Sequence, residues 1–101
     1  MLVYNITMKV DPTIINEWVR WQKDEHIPEI MATGLFDSYK FFHLLEQDET
    51  DGVTYIIQYF TLSKEKYNIY LLEFAPQLRE KATKKWGNRF VAFRTVMELV
   101  Q

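Results

Sequence analysis

One histidine, His26, is placed where it could act as a general acid or base. It lies four residues after Gln22 on a helix that the pattern predicts from Pro12 onward, so both side chains point to the same side. Pro28 follows and disfavours a helical Ile27, which predicts that the helix ends or kinks there. A histidine beside such a break, facing a sheet, can exchange protons near neutral pH. The alternative is a structural histidine that caps the helix and bonds to a tyrosine or a carbonyl group.

A metal site finds little support in the same region. His26 and Glu29 are three residues apart, but Pro28 lies between them and disrupts the helical spacing. His43 lies on a different predicted strand with no carboxylate pattern beside it. Protein metal sites need three or four converging ligands, so we predict no metal ion. Nothing distinguishes either histidine as a haem ligand, and we predict no cofactor.

Two predicted strands each carry a row of aromatic residues on one face. The rows are Tyr39, Phe41 and His43 on the second strand and Tyr55, Ile57 and Tyr59 on the third. If the rows face the helices, they form an aromatic wall with hydroxyl tips that suits a planar or sugar-like ligand, and Tyr39, His43 and Tyr55 become ligand-binding candidates. If they face the other way, they form the core of a subunit interface. The sequence leaves both arrangements open.

A charged residue, Arg94, interrupts an apolar row on the last predicted strand. It shares a face with Phe90, Ala92 and Val96, and Glu98 follows four residues later. A charge among apolar side chains needs a partner, so the first interpretation is an ion pair between Arg94 and Glu98, within the sheet or between subunits. The alternative is that Arg94 binds an anion in a pocket.

Composition restricts the class of protein. The 101 residues correspond to one domain, residues 1–101, and 48% apolar with 16% aromatic content is more than a small monomer easily buries, which favours association. A net charge of −2 gives no electrostatic reason to expect nucleic acid as a partner. The chain has no cysteine, no signal-like leader and no long apolar run. We therefore expect a cytoplasmic protein without a membrane partner.

The candidate site residues lie on a predicted series of elements in the order strand, helix, strand, strand, helix, strand. The strands are expected at residues 2–10, 35–45, 53–62 and 89–100. Asp11 and Ser63 are predicted helix caps, and Gly34 and Gly87 predicted helix ends. The two halves echo each other, because Pro76 interrupts the second helix as Pro28 does the first.

The inward helix stripes follow from the spacing of apolar residues. They are Ile15, Val19, Gln22 and His26, with Trp18 beside them, and then Tyr67, Leu71, Phe74, Leu78 and Ala82. Trp21 departs from the first stripe, so we predict that it lies at the surface or at a contact. The charged residues Arg79 to Arg89 are interpreted as solvated surface.

Right-handed crossovers and a hairpin leave few topologies for this order of elements. The simplest is the ferredoxin-like βαββαβ α+β fold, with a four-stranded antiparallel sheet in the order 4-1-3-2 and two broken helices on one face. The opposite face is then apolar, and so large a patch is rarely left exposed. We predict a homodimer in which two sheets pack by these faces into a dimeric α/β barrel.

This order of elements resembles the dimeric α+β barrel superfamily, which includes cofactor-free monooxygenases, haem-degrading enzymes, mutarotases and polyketide cyclases. Four segments in sequence order are similar to a bacterial family known only as a domain of unknown function. They are Val3-Tyr4-Asn5-Ile6-Thr7, His26-Ile27-Pro28-Glu29, Ala32-Thr33-Gly34-Leu35-Phe36 and Arg89-Phe90-Val91-Ala92-Phe93-Arg94-Thr95. The resemblance implies the fold and a dimer, and it assigns no catalytic residue.

Two hypotheses from different classes follow. In the first, a cleft between helices and sheet binds a small, partly apolar molecule, and any catalysis is proton transfer without a cofactor. His26 is then the base, with Tyr39 or Tyr55 as hydrogen-bonding partner. In the second, the protein is a noncatalytic dimerisation or interaction module with a fully packed core.

Overall fold

The computed structural model describes residues 1–101, and the chain alternates between strands and helices as predicted. The elements are β1 (Leu2–Val10), a 3-10 turn (Pro12–Ile14), α1 (Ile15–Trp21), a π-helical turn (Gln22–His26), α2 (Ile27–Ala32), β2 (Ser38–His43), β3 (Val53–Thr61), α3 (Lys64–Ile69), a second π-helical turn (Tyr70–Phe74), α4 (Ala75–Trp86) and β4 (Phe90–Glu98).

The four strands form one antiparallel sheet in the order β2-β3-β1-β4, which is the predicted order. Paired residues on neighbouring strands project to the same face of a sheet. Tyr4 of β1 lies opposite Tyr59 of β3 and Val96 of β4, and Tyr59 in turn lies opposite Tyr39 of β2. Because Tyr4 and Tyr59 are buried under the helices, both aromatic rows belong to the helix-covered face. They do not form the core of an interface between sheets.

The helix ends follow the local chemistry of the sequence. The side chain of Asp11 accepts from the backbone N–H of Thr13, and Ser63 Oγ accepts from that of Lys66. Gly34 adopts a φ of 74° after α2, a left-handed conformation that costs glycine least. The predicted caps and the predicted stop at Gly34 are confirmed.

The second strand is shorter than predicted, at residues 38–43 instead of 35–45. Phe36 leaves the strand and is buried, with its ring stacked on Tyr4 at 6.0 Å and edge-on to Tyr70 at 5.0 Å. The Phe36 side chain therefore contributes to the core instead of extending the edge strand.

The first half of the first inward helix stripe was predicted one residue out of register, because Ile14 and Trp18 are buried whereas Ile15 and Val19 are only partly covered. Gln22, in the second half, is buried as predicted. Trp21 was predicted to lie at the surface or at a contact, but it is buried and packs against the rings of His26 and Trp86. In the second stripe Leu78 and Ala82 are buried as predicted, together with Tyr70, Ala75 and Trp86, and the other predicted members are partly covered.

The face of the sheet opposite the helices carries exposed apolar side chains, as predicted. Phe42, Val91, Phe93 and Met97 all project from it. None of the helices has both the length and the apolar character needed to cross a bilayer.

Replacing Ile57 with alanine tests the core directly. Ile57 is 1% exposed at the centre of β3, so Ile57→Ala should lower the free energy of unfolding by about 2–5 kcal/mol. Urea denaturation followed by tryptophan fluorescence measures the change. Leu72→Ala, at a residue that is 80% exposed, is the control and should change stability by less than about 0.5 kcal/mol. Equal losses in both variants would contradict this placement of the core.

Candidate functional site

The helical layer consists of two segments, residues 12–32 and 64–86, and each segment contains one π-helical turn. A proline lies two residues after the end of each turn. The N–H of Ile27 donates to the carbonyl of Gln22, and the N–H of Ala75 to that of Tyr70, both five residues back. Pro28 and Pro76 take the second positions of α2 and α4, where no N–H is needed.

These turns correct the prediction that the helices end or kink at the prolines. In an uninterrupted α-helix, Pro28 would lack the N–H for the carbonyl of Asp24, and its ring would collide with that carbonyl. In a π turn the hydrogen bond spans five residues instead of four, so the turn contains one extra residue just before the proline. A new α-helix then begins. The helices therefore continue over the sheet.

The two π turns place equivalent residues over the same space. Gln22 and Tyr70 are the first residues of their turns, and each is only 3% exposed. Together with His26, the last residue of the first turn, they line a cavity between the helices and the sheet. Its volume is about 30 Å³, which is room for one or two water molecules.

The cavity wall is mostly apolar but contains cations and no acid. Eleven of its 15 lining residues are hydrophobic, and the other four are Gln22, His26, Arg79 and Arg94. No Asp or Glu belongs to the wall. Its composition is typical of a ligand pocket, in which a few polar groups lie within apolar surroundings, but its volume is about tenfold smaller than that of such pockets.

Several polar atoms at the cavity are buried without a hydrogen-bond partner in the chain. They are Gln22 Oε1, His26 Nδ1, Tyr59 OH and Arg79 Nε. Gln22 Nε2 contacts only Met8 Sδ, at 3.9 Å, and Tyr59 is fully buried. Each buried group left unpaired costs about 1–3 kcal/mol, so a molecule in the cavity that pairs with these groups, water included, would be stabilising.

His26 is held in its neutral form. Its ring stacks on the indole of Trp21, with centroids 4.5 Å apart and planes 19° apart. Burial lowers the pKa of His26 from 6.5 to about 4, the Glu29 carboxylate opposes this, and the cations Arg94 and Lys81 lower the pKa further. The side chain makes no capping hydrogen bond, so it does not act as the structural helix cap that the sequence left open.

The two arginines at the cavity lack carboxylate partners. Arg79 Nη2 donates to Tyr4 OH at 3.0 Å, and neither Arg79 nor Arg94 is part of an ion pair. The ion pair predicted between Arg94 and Glu98 is therefore absent within the chain. Arg94 lies opposite Ile6 on β1, so its side chain is on the helix-covered face and reaches the cavity.

The buried tyrosines at the cavity are hydrogen-bond donors. Burial raises the pKa of Tyr59 above its ordinary value, and the nearby phenols of Tyr70 and Tyr4 add to the effect. Burial also raises the pKa of Tyr70. Both phenols keep their protons near neutral pH and can donate to an oxygen atom in the cavity.

Of the predicted site residues, the structure brings only Arg94 to the cavity with His26. Tyr39, His43 and Tyr55 lie outside its lining. Tyr39 is exposed at the edge of the sheet, whereas His43 contacts Glu49 across 2.6 Å and stacks on Tyr55 at 5.1 Å.

Arg79, Tyr59 and Tyr70 were not among the predicted site residues. Arg79 was assigned to the solvated surface because it begins a run of cations. For Tyr70 the sequence did contain a signal: Tyr70 lies six residues before Pro76, just as the predicted inward residue Gln22 lies six residues before Pro28. No cluster of three or more potential ligands for a metal ion occurs in the structure.

Comparison with known families adds an identification. Residues 1–100 match the model of a family described as "Domain of unknown function (DUF4286)". The chain belongs to this family. The resemblance predicted from four sequence segments is thereby confirmed. No curated protein matches the sequence.

Solved structures share the fold of this DUF4286 chain. An ethyl tert-butyl ether d (ethd) family protein from Bacillus halodurans is 13% identical with a TM-score of 0.68, covering 99% of this chain and 100% of its own. An antibiotic biosynthesis monooxygenase is 14% identical with a TM-score of 0.68 and full coverage of both chains. A dimeric ferredoxin-like protein from an uncultured marine organism is 13% identical with a TM-score of 0.58, covering 99% and 95%. These similarities confirm the ferredoxin-like fold.

The depressed pKa of His26 predicts a pH-dependent stability. Between about pH 4 and 6.5 the unfolded chain binds a proton at His26 that the folded chain does not, so folding stability rises with pH across this window. Lowering the pH from about 7 to 4 should cost on the order of 3 kcal/mol through this residue. Urea denaturation at several pH values measures it.

The matched variant is His26→Gln. It should lose the pH dependence of stability that His26 produces and keep the pH dependence that the carboxylates produce. His43→Gln, at an exposed residue outside the cavity, should retain the wild-type profile. If the profiles of wild type and His26→Gln have the same slope between about pH 4 and 6.5, the neutral buried state of His26 is refuted.

Proposed function

We propose that this protein is a homodimer that binds a small, partly apolar molecule in the cavity under the two π turns. The observation that carries the proposal is the convergence of four buried, unpartnered polar atoms, from Gln22, His26, Tyr59 and Arg79, on one largely apolar cavity. A ligand that pairs with these atoms removes their desolvation cost, and this gain favours a specific bound orientation.

Any chemistry at this site is proposed to be proton transfer without a cofactor. Neutral His26 offers a lone pair to a proton on the ligand, and Tyr59 OH donates to an oxygen on which negative charge develops. Burial makes protonated His26 unfavourable, so the transfer needs a negative charge to develop on the ligand at the same time. Tyr39 and Tyr55, the partners predicted from sequence, lie outside the lining, and Tyr59 takes that role in the proposal.

The subunit contact is proposed to form between the open faces of two sheets. Phe42, Val91, Phe93 and Met97 are exposed there, and Val3, Ile56 and Phe60 on the same face are half-buried. Two structures with the same fold, from uncultured marine organisms, are dimeric ferredoxin-like proteins at 13% and 17% identity. A second copy of this chain is the occupant we propose for this face.

The polar side chains in the middle of this face suit burial. Gln58 Nε2 donates to Asn5 Oδ1, and Asn5 Nδ2 donates to Thr7 Oγ1, each at 3.2 Å. Because these groups already have partners within one sheet, a second sheet can cover them at little desolvation cost. A cytoplasmic location stays a prediction from the sequence.

Phe93→Glu should convert the proposed dimer into a monomer. Phe93 is 68% exposed on the open face, and two symmetry-related glutamates would be buried there without partners. Sedimentation velocity at micromolar concentration distinguishes the two states. Leu72→Glu, at a residue that is 80% exposed on the helical layer, is the control and should leave the dimer intact. A monomeric wild type would refute the dimer, whatever the variants do.

A second candidate function is a noncatalytic dimerisation module, and the cavity volume favours it. About 30 Å³ holds water and no larger molecule unless side chains move. The module predicts that ordered water alone bridges the unpartnered atoms, and that changing His26 alters no binding property.

Cyclopentanol, an apolar ring whose one hydroxyl group can donate to His26 and accept from Tyr59, discriminates between the two functions. In a ligand-binding protein, it should cause a saturable shift of the indole N–H signal of Trp21, which lines the cavity, with little shift at Trp18, which does not. His26→Ala should weaken the affinity at least about tenfold, or 1.4 kcal/mol. Two-dimensional ¹H–¹⁵N NMR measures both effects.

His43→Ala removes the other histidine without touching the cavity and should bind as the wild type does. Linear shifts spread evenly over Trp18 and Trp21, or an affinity unchanged by His26→Ala, would favour the noncatalytic module.

A further inference from the structure

The cavity has an electrostatic imbalance that the proposed function does not use. Two guanidinium groups, those of Arg79 and Arg94, reach it, and no acid lies in its wall. Three of the ten other Lys and Arg residues pair with carboxylates, among them Lys81 with Glu29 at 2.8 Å and Arg89 with Asp11 at 3.6 Å. Positive charge beside an apolar cavity, without a counter-charge, is stabilised by an anion.

Both arginines line the cavity and keep free hydrogen-bonding capacity. Arg79 uses Nη2 to reach Tyr4 OH, and its Nε is buried without a partner. Arg94 makes no hydrogen bond or ion pair to another side chain of the protein. A guanidinium presents several N–H groups in one plane, and the two oxygens of a carboxylate match that geometry.

Two independent features restrict the rest of the ligand. Eleven of the 15 lining residues are hydrophobic, which favours a short apolar body over a heavily hydrated ion. Gln22 Oε1 and Tyr59 OH, on side chains that are 3% and 0% exposed, also lack partners there. These features match a molecule with an anionic end and an apolar end, which the cavity of about 30 Å³ admits when lining side chains move.

We propose that the ligand of this cavity is a small aliphatic carboxylate whose oxygens accept hydrogen bonds from Arg79 and Arg94. The inference rests on the proposed function and specifies the class of molecule bound. Arg94 belongs to the edge strand β4 and is exposed, whereas Arg79 lies on the helical layer and is half-buried.

The bound carboxylate has a consequence for His26. The groups that act on this ring are the Glu29 carboxylate and the cations Arg94 and Lys81, and the cavity wall adds Arg79. A negative charge placed among them favours the imidazolium, so the ligand should raise the pKa of His26. Binding would then prepare His26 to accept a proton, which links the ligand class to the chemistry of the site.

Propanoate and its neutral isostere propanamide test the inference at constant ionic strength. Titrations are followed at the indole N–H of Trp21 and at the ring signals of His26 by NMR. Propanoate should bind at least about tenfold tighter than propanamide, and saturating propanoate should raise the pKa of His26 by about one unit or more. This comparison is made on the wild-type protein and needs no variant.

Arg94→Met removes one guanidinium but keeps an apolar side chain of similar length. It should weaken propanoate binding at least about tenfold and leave propanamide binding unchanged. Arg20→Met removes an exposed cation that does not line the cavity and should change neither affinity. Circular dichroism confirms that each variant is folded.

The failures of the two proposals are distinguishable. Equal affinities for propanoate and propanamide, or an Arg94→Met variant that binds propanoate as the wild type does, overturn the carboxylate inference and leave the ligand-binding cavity standing. If propanoate, propanamide and cyclopentanol all fail to produce a saturable shift at Trp21, both proposals are overturned.

Discussion

Two prolines lie inside helices that have to cover a sheet, and the fold depends on how the backbone accepts them. Pro28 and Pro76 cannot donate to the preceding turn, and a π turn in front of each one lets a new α-helix start where no donor is required. The helical layer therefore stays over the strands. The π turns also place Gln22 and Tyr70 over a small cavity. The same turns that accommodate the prolines therefore form part of the candidate site.

The two faces of the sheet have separate roles in this arrangement. The covered face contains the aromatic core and a cavity whose charged groups are positive and whose histidine is neutral. The open face carries apolar side chains around the hydrogen-bonded pair Asn5 and Gln58. Association through the open face would leave the cavity accessible along the edge strand, where Arg94 lies. The proposed subunit contact and the proposed ligand site therefore lie on opposite faces of the sheet.

Local chemistry made much of the fold predictable. The alternation along β1, the caps at Asp11 and Ser63 and the left-handed Gly34 depend on neighbouring residues, and each was found as predicted. The strand order also followed, because crossover handedness leaves few alternatives. The first half of the first helix stripe was misjudged because Ile14 with Trp18 and Ile15 with Val19 have the same four-residue spacing, so only packing decides which pair faces the sheet.

The candidate site was only half predictable. The spacing of Gln22 and His26 placed both on the inward side, but no local pattern brings Arg79 and Arg94, from different elements, to them. By itself the sequence determined the order of elements, the helix caps and which residues share a strand face, because these depend on backbone preferences and on the strand period of 2 residues. Only the tertiary structure decided which face the helices cover, and hence that Arg94 lies at the cavity without Glu98 as its partner. A period relates residues to one another within one element, whereas the covered face depends on packing between distant elements.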